Sequence, residues 1–389
     1  MYDCIVIGAG VVGSSAAYHL SRKGKNTLLL EQFSLPHTRG SSHGPIRAIR
    51  CCNGNLLYVK MTIEALRQWK QLEEDAGVTL FRQTGLLIID KPPYEFLTEA
   101  MNAAKVCGIH VTEMSREEVH ERYPGMVNLP EESKAFLEEG AGTIKADKAL
   151  ECLRMQIKKY GGHIHEEEKV ERIIPGRTVT VKTNKGEYKA KGLIITPGTW
   201  ASQLLKPLGF DPPIRVKRAT VCYWKDHIPG SSKNYPVFID YALNYPSDFT
   251  SPCFAYGFPS DEYPGLKKIS VHQGTETVPD DRDGCPSDKR VMEFLLGYMK
   301  TRFPELAGEK PSIVEWCMYS LTPDEEFILD NLAHHPNVAI GCGFSGSGFK
   351  LAPVLGQILT EMALGDTLSF DMSPFRLSRF SNASVKSKY

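Results

Sequence analysis

The segment Cys4–Gly13, CIVIGAGVVG, constrains the fold of this chain more than any other feature of its sequence. A short apolar run leads directly into Gly8, Gly10 and Gly13, which have the G-x-G-x-x-G spacing. In such a turn the first glycine permits a tight bend, the second lets a pyrophosphate approach the backbone, and the third lets helix and strand pack closely. A helix that starts here offers free N–H groups to phosphates. The segment therefore predicts a dinucleotide site in an α/β domain.

The residues after this turn complete the expected unit. A helical pattern covers 11–23, and a second apolar strand covers 27–30 and ends in Glu31. This acid stands about 20 residues beyond the glycines, where a carboxylate accepts hydrogen bonds from a ribose hydroxyl. It favours an unphosphorylated ribose, and hence FAD or NAD over NADP.

The composition limits which classes of protein this chain could belong to. The chain has 389 residues, 42% of them hydrophobic, which is enough for two domains with substantial cores. Because the formal net charge is zero, nothing points to nucleic acid, and no apolar run reaches the roughly 20 residues that span a bilayer. No secretory signal precedes the first strand, and the ten cysteines form no C-x-x-C pair, so we expect reduced thiols. We predict no metal site.

The C-terminal tripeptide Ser387-Lys388-Tyr389 resembles the peroxisomal address S-K-L but departs from it at the last position. We therefore predict a peroxisomal protein that an import receptor binds through its C-terminus, with the cytoplasm as the alternative.

The pattern along the chain indicates a change of character near its middle. It predicts helices at 56–76, 95–105, 146–160 and 352–364, and strands at 85–90, 163–174, 178–183, 189–196 and 338–341. Between Pro212 and Trp316, Pro, Tyr and Gly become frequent, and short β-like runs replace the alternation of strands and helices. We expect an antiparallel sheet there, in a separate substrate domain, and a dinucleotide domain completed by the C-terminal part of the chain.

Residues 39–50 place His43, Arg47 and Arg50 just after the ribose-binding strand. If the segment is helical, the spacing of three puts both arginines on one face. The guanidinium fork matches the two oxygens of a carboxylate. A solvated surface turn is the alternative interpretation.

Two later segments could also carry chemistry. Cys317 lies in WCMYSLTPD, where a lone cysteine would ordinarily be a small buried residue. The segment GFSGSGFK at 343–350 has glycines dense enough for close approach to a flat ligand, and it ends in Lys350. By itself Lys350 would be an exposed lysine.

Taken together, these segments resemble the amine-oxidising flavoproteins of the monomeric sarcosine oxidase family, and the resemblance runs nearly end to end. It is most specific at 28–44, 317–330, 343–356 and 375–380. The resemblance implies an α/β fold: a Rossmann-like FAD-binding domain of the D-amino-acid-oxidase/glutathione-reductase type and a mostly antiparallel substrate domain. It implies 1–86, 144–213 and 320–389 for the first domain, and 87–143 and 214–319 for the second. It also implies one FAD per chain, bound covalently through a thioether to Cys317.

The resemblance assigns roles residue by residue. Arg50 and Lys350 match the pair that holds the substrate carboxylate. The residues that match catalytic positions are His43 and Arg47 beside the flavin, the tyrosines Tyr256 and Tyr319, the dioxygen-activating Lys268 and the substrate-side His272. The residues that match cofactor contacts are Gly8, Gly10, Gly13, Glu31, Gln32, Ser42, Val170, Cys317, Gly346, Gly348 and Lys350.

Some of these assignments compete with structural roles. Lys268, His272 and Tyr256 could be ordinary packed residues, and Lys267 stands beside Lys268, so the register could be wrong by one. The chain departs from the family pattern at Pro45 and Ile46 and again at 51–53, Cys-Cys-Asn, which leaves substrate preference open.

The resemblance implies an oxidase of sarcosine, L-pipecolate or L-proline that forms an imine and reduces dioxygen to hydrogen peroxide. The alternatives are an oxidase of a bulkier N-alkyl or glycated amino acid, an NAD-dependent dehydrogenase and a non-catalytic flavin-binding module.

Overall fold

The computed structural model describes residues 1–226, 230–247, 249, 253–259, 263–284 and 288–380. The α-helices in these residues are α1 (Val11–Arg22), α2 (Leu56–Ala76), α3 (Glu95–Val106), α4 (Arg116–Arg122), α5 (Ala146–Lys159), α6 (Ala201–Leu205), α7 (Lys289–Arg302) and α8 (Gly348–Leu364). The strands are β1 (Tyr2–Ile7), β2 (Thr27–Leu30), β3 (Ile46–Ile49), β4 (Phe81–Gln83), β5 (Leu86–Asp90), β6 (Val111–Met114), β7 (Lys134–Glu138), β8 (Gly142–Lys145), β9 (His163–His165), β10 (Val170–Ile174), β11 (Val179–Thr183), β12 (Glu187–Ile195), β13 (Arg215–Lys225), β14 (Val237–Asp240), β15 (Ala255–Phe258), β16 (Leu266–Val271), β17 (Gly274–Glu276), β18 (Ile313–Leu321), β19 (Ile328–Leu332) and β20 (His335–Cys342). The predicted C-terminal signal, Ser387 to Tyr389, lies outside the described residues.

The first sheet carries the glycine turn. Its parallel strands run in the order β20, β12, β1, β2 and β9, while β10, β11 and β19 extend it antiparallel. Strands β1 and β2 are almost wholly buried because helices cover the sheet, as is usual for parallel strands. Gly356 of α8 packs on α1 so closely that a Cβ there would lie 2.6 Å from the backbone N of Ala16. The carboxyl ends of β1, β2, β12 and β20 meet at one edge, where ligands of such sheets bind.

The second sheet has the order β17, β13, β16, β15, β14, β5, β7 and β6, with β18 paired to β13. Its neighbours are antiparallel except for β5 and β14. The α/β class with a mostly antiparallel second sheet is therefore confirmed. A small third sheet, in the order β3, β8 and β4, lies beside these two.

Two local expectations were wrong, and one condition is not met. The strand predicted at 163–174 is two strands, because the chain turns at Glu167, whose φ is +54°, and β9 and β10 pair with different partners. The segment with Arg47 is strand β3, paired with β8, so the helix that would put Arg47 and Arg50 on one face does not form. Helix α8 begins at Gly348 rather than at 352, which places Lys350 in its first turn.

Candidate active site

A cavity of about 1370 Å³ runs from the edge of the first sheet to the face of the second. Every site residue predicted from the sequence lines it: Gly8, Gly10, Gly13, Glu31, Gln32, Ser42, His43, Arg47, Arg50, Val170, Tyr256, Lys268, His272, Cys317, Tyr319, Gly346, Gly348 and Lys350. Its volume exceeds the roughly 300–1,000 Å³ of an ordinary small-molecule pocket. It therefore offers space for both a dinucleotide and a small substrate.

The glycine turn is packed too tightly for any other residue. Gly8 has a φ of +96°, and a Cβ on it would lie 2.4 Å from the carbonyl oxygen of Thr196. A Cβ on Gly13 would lie 2.0 Å from the carbonyl oxygen of Gly8. Because β12 and α1 press on the turn from both sides, the first N–H groups of α1 are presented to the cavity, as a pyrophosphate requires.

Glu31 is buried at the carboxyl end of β2. Its carboxylate accepts hydrogen bonds from the backbone N–H of Ala9 at 2.9 Å and of Phe33 at 3.1 Å. His37 Nε2 lies 3.5 Å from the same carboxylate. The acid is thus fixed beside the glycine turn, which is where a ribose of the dinucleotide would lie.

A short chain of contacts links this turn to Cys317. The hydroxyl of Ser42 accepts the N–H of Val11 at 3.0 Å and so caps the start of α1. The carbonyl oxygen of the neighbouring Ser41 lies 3.7 Å from Cys317 Sγ. Cys317, on β18, is partly exposed and lines the cavity, which disagrees with the alternative of a buried cysteine. Cys317 is thus linked to the glycine turn through the 41–42 segment.

His43 and Arg47 contact the backbone of the 40–43 loop, which lies beside this thiol. The two ring nitrogens of His43 face the carbonyl oxygens of Gly40, at 2.5 Å, and Trp316, at 3.1 Å. The guanidinium of Arg47 donates to the carbonyl oxygens of Ser41 and His43. Burial, together with the charge of Arg47, lowers the pKa of His43, which favours its neutral form.

Arg50 points into the substrate end of the cavity. Its Nη1 donates to the carbonyl oxygen of Cys52 at 2.6 Å, and its Nη2 donates to the hydroxyl of Tyr241 at 3.4 Å. The guanidinium carbon lies 5.4 Å from the centre of the Phe96 ring, a cation–π distance. These three contacts therefore fix the orientation of the Arg50 guanidinium.

Lys350 lies close enough to Arg50 for the two charges to repel. Its ammonium donates to the hydroxyl of Ser347 at 3.1 Å. Burial and the charge of Arg50 lower the pKa of Lys350 to about 7, against the opposing effect of Glu326. Two cations at one wall are suited to an anionic partner, which would relieve their mutual repulsion.

A wall of aromatic rings adjoins these cations. His272 lies parallel to Phe254 at 4.6 Å and edge-on to Tyr319, also at 4.6 Å. Burial lowers the pKa of His272 to about 4, so the imidazole is neutral at pH 7. Burial raises the pKa values of Tyr256 and Tyr319, so both hydroxyls stay protonated. The wall is uncharged and partly polar.

Lys268 and Lys267 face opposite sides of β16. Lys268 lines the cavity, with its ammonium 5.1 Å from the ring centre of Phe258 and 5.6 Å from that of Tyr223. Lys267 lies 3.4 Å from Glu305. The register in which Lys268, not Lys267, faces the site therefore agrees with the structure.

Sequence reasoning missed three rings of the wall: Phe96, Tyr241 and Phe254. Tyr241 joins the other two, at centroid distances of 4.6 Å to Phe96 and 5.1 Å to Phe254. No spacing marks them, because they come from α3 and from two loops. The one sequence signal that could have pointed to Tyr241 was the frequency of tyrosine between Pro212 and Trp316.

The residues at 51–53 divide between core and cavity. The Cys51 and Cys52 thiols are buried in packed clusters, whereas Asn53 lines the cavity. Within 51–53, only Asn53 alters the cavity lining directly, and Pro45 and Ile46, the other departures from the family pattern, also line the cavity. In the described part of the chain, no helix is long and apolar enough to cross a membrane.

The sequence matches the family of FAD dependent oxidoreductases (DAO) over residues 3–362. The peroxisomal sarcosine oxidase of Homo sapiens is 44% identical over 98% of this chain and 96% of that protein. The monomeric sarcosine oxidase of Arthrobacter sp. is 34% identical over 97% and 96%. Among solved structures, L-proline dehydrogenase from P. horikoshii has the same fold, with a TM-score of 0.83, 21% identity and coverage of 99% of both chains. This chain therefore belongs to the FAD-dependent oxidoreductases, and FAD is its cofactor.

Proposed function

We propose that this protein is an FAD-dependent oxidase of a secondary amino acid, with sarcosine and L-pipecolate as the first candidate substrates and L-proline as the third. The product is an imine, and dioxygen is reduced to hydrogen peroxide. The relatives that are named sarcosine oxidase support this reaction class. The FAD-dependent family leaves the alternative of an NAD-dependent dehydrogenase without support.

The observation that carries the proposal is the convergence of Arg50 and Lys350 on one wall of the FAD cavity. A substrate carboxylate between them attracts both cations and so offsets their mutual repulsion, and it leaves the α-amine on the side of the ring wall. Fixing the substrate at its carboxylate orients the C–H bond to be broken, which lowers the entropic cost of reaching the transition state. Neutral His272 and the hydroxyls of Tyr256 and Tyr319 offer polar contacts to the amine without adding a cation.

The chemistry that FAD would supply is removal of a hydride equivalent, two electrons and one proton, from the carbon next to nitrogen, while the nitrogen loses its proton to give the imine. We assign its covalent attachment to Cys317, because this thiol is accessible from the cavity beside the loop that caps α1. Arg47 and the polar ring of His43 lie next to this thiol. Positive charge there stabilises negative charge that develops on the reduced cofactor.

Lys268 is assigned to the reaction with dioxygen. Its ammonium lies among the rings of Tyr223 and Phe258 in the cavity wall. When dioxygen accepts an electron, a preplaced cation stabilises the negative charge without reorganisation of solvent. This role is separate from holding substrate, since Arg50 and Lys350 belong to another wall.

The remaining assignments follow from the same arrangement. We infer that 1–86, 144–213 and 320–389 form the FAD-binding domain and that 87–143 and 214–319 form the substrate domain. The membership of strands in the two large sheets supports this division, except that the boundaries at 86 and 320 fall within β5 and β18 of the second sheet. The human and mouse relatives are named peroxisomal. We propose the peroxisome for this protein too, with import through Ser387-Lys388-Tyr389.

The experiment that tests the function is oxygen uptake by the purified protein with L-pipecolate, sarcosine and L-proline, compared as kcat/KM. We expect turnover of at least one, with one hydrogen peroxide formed per dioxygen consumed. The carboxamide of the best substrate is the matched control, because it lacks the charge that Arg50 and Lys350 would bind. Uptake with none of the three amino acids would contradict the proposal and favour a bulkier N-alkyl or glycated amino acid.

A further inference from the structure

Glu138 is a buried carboxylate close behind the substrate end of the cavity, at the end of β7, and it is only 1% exposed. Its two oxygens accept hydrogen bonds from successive backbone N–H groups, those of Cys51 and Cys52, each at 2.8 Å. A buried carboxylate is costly unless it is hydrogen-bonded, and hydrogen bonds to a charged acceptor are stronger than neutral ones. This contact therefore fixes the backbone of the 51–52 segment.

The fixed segment leads directly to Arg50. The carbonyl oxygen of Cys52 accepts the Arg50 guanidinium at 2.6 Å, shorter than the 3.4 Å contact with Tyr241. Because Glu138 holds the N–H groups of Cys51 and Cys52, the peptide groups on both sides of Cys51 are fixed, which sets the position of the Arg50 backbone and of the Cα atom that carries the Cys52 carbonyl. The positive charge of Arg50 also acts on Glu138 and opposes the rise in the pKa of Glu138 that burial causes.

We propose that Glu138 is a positioning residue for the substrate-carboxylate site: it holds the 51–52 backbone so that the Cys52 carbonyl aims the Arg50 guanidinium at the substrate. The inference rests on the assignment of Arg50 in the proposed function. It explains how the 51–52 segment can act on the site although neither cysteine lines the cavity. Glu138 holds this segment through its two backbone amides and through the Cys51 thiol, which also hydrogen-bonds to Glu138.

A purely structural role predicts something different. Glu138 ends a strand that pairs with β5 and β6, so its loss could simply weaken the sheet. In that case the loss of Glu138 would weaken the binding of every ligand, and equally so with and without Arg50. A positioning role acts only through Arg50, so its effect must vanish when Arg50 is absent.

The test is a double-mutant cycle on the flavin-loaded protein. The dissociation constant of propionate is measured from the flavin absorption spectrum for the wild type, Glu138→Gln, Arg50→Gln and the double variant. We expect Glu138→Gln to weaken propionate binding about ten-fold, the equivalent of one lost charge-assisted hydrogen bond, and to have no further effect on Arg50→Gln. Asp226→Asn is the control: Asp226 is buried at the end of β13 and accepts the N–H of Ser232, but it does not line the cavity.

The outcomes are distinct. Unchanged propionate binding in Glu138→Gln, or an equal loss in both backgrounds, would overturn the positioning role. Unchanged binding in Arg50→Gln would instead overturn the assignment of Arg50 in the proposed function. Should Glu138→Gln fail to fold, Glu138→Asp replaces it, because aspartate keeps the charge but is too short to reach both amides. We expect Glu138→Asp to weaken propionate binding in the presence of Arg50 and to have no further effect on Arg50→Gln.

Discussion

The two ends of the cavity are built on different principles. At the dinucleotide end, the glycine turn, Glu31 and Ser42 come from the first 42 residues, and their contacts are made to backbone groups. At the substrate end, Arg50, Tyr241, His272 and Lys350 come from segments as far apart as 300 residues (50 to 350), and side chains make most of the contacts. The first end is built mostly from one local unit, against which Thr196 packs, whereas tertiary packing assembles the second.

This difference decides how each end should respond to change. At Gly8 and Gly13 the glycine turn, which we call the backbone cradle, leaves no space for an added atom, because the neighbouring backbone cannot move aside. A site made of side chains can lose one contact and keep the others, so its variants should show graded effects. The predictions below test this contrast, from the largest expected effect to the smallest.

Gly13→Ala should abolish folding with bound flavin. The new methyl group would lie 2.0 Å from the carbonyl oxygen of Gly8, which costs about 3 kcal/mol or more. Gly297→Ala is the matched control, since Gly297 is also helical but nothing lies within 4 Å of its Cβ position, and it should stabilise by roughly 0.5–1 kcal/mol. The measurements are flavin content and the thermal midpoint. Normal flavin content in Gly13→Ala would contradict a rigid cradle.

The cradle is also the part that sequence alone predicts best. The spacing of Gly8, Gly10 and Gly13 and the later Glu31 encode one strand–turn–helix–strand unit, so local signals suffice. The helix 56–76 was predicted with the observed bounds, since Asn55 caps its start and Gly77, at a φ of +67°, ends it. Such features depend on neighbours in the sequence.

Cys317→Ser should leave a folded protein that no longer holds flavin covalently. Serine keeps the size and polarity needed for the strand but lacks the thiolate that forms a thioether. After denaturation and gel filtration, flavin absorbance should leave the Cys317→Ser protein and remain with Cys107→Ser, whose partly exposed side chain packs beside Cys51 and does not line the cavity. Flavin that still migrates with denatured Cys317→Ser would exclude this attachment site.

Lys268→Met should slow reoxidation of the reduced flavin by roughly 10²-fold, the effect of removing one preplaced group that stabilises developing charge. Reduction by substrate should change little, since Arg50 and Lys350 remain. Lys267→Met is the control on the opposite face of β16, where the native lysine pairs with Glu305. Stopped-flow measurement of both half-reactions checks this, and equal slowing of both would refute a specific role in dioxygen reduction.

The substrate end shows where sequence reasoning stops. The spacing of Arg47 and Arg50 would put both on one face only in a helix, but pairing with β8 makes the Arg47 segment a strand, and pairing of this kind is not encoded locally. The rings of Phe96, Tyr241 and Phe254 meet only because α3 and two loops pack together. Family resemblance identified Lys350 and His272, although their spacing alone would not have done so.

The two cations should make carboxylate binding depend on pH. The pKa of Lys350 is lowered to about 7, so below pH 7 the ammonium is charged and binds an anion, and above it the charge is lost. The dissociation constant of propionate should therefore rise as pH increases above 7, by at most about ten-fold per pH unit. Arg50→Gln removes the repelling charge and should move this inflection to higher pH while weakening binding overall. An inflection that stays in place in Arg50→Gln would show that Arg50 and Lys350 are not coupled.

The smallest effects are expected at the departure from the family pattern, where core and cavity meet. Cys52 is fully buried, so Cys52→Ala should cost about 1 kcal/mol of stability and leave the ratio of kcat/KM values for L-pipecolate and sarcosine unchanged. Asn53 lines the cavity, so Asn53→Ala should change that ratio about two- to ten-fold, the range of one hydrogen bond. The reverse result, with preference altered by Cys52→Ala and not by Asn53→Ala, would mean that the packing behind Arg50 sets specificity. The substrate end would then be as rigid as the dinucleotide end, and the contrast between graded and all-or-none sites would fail.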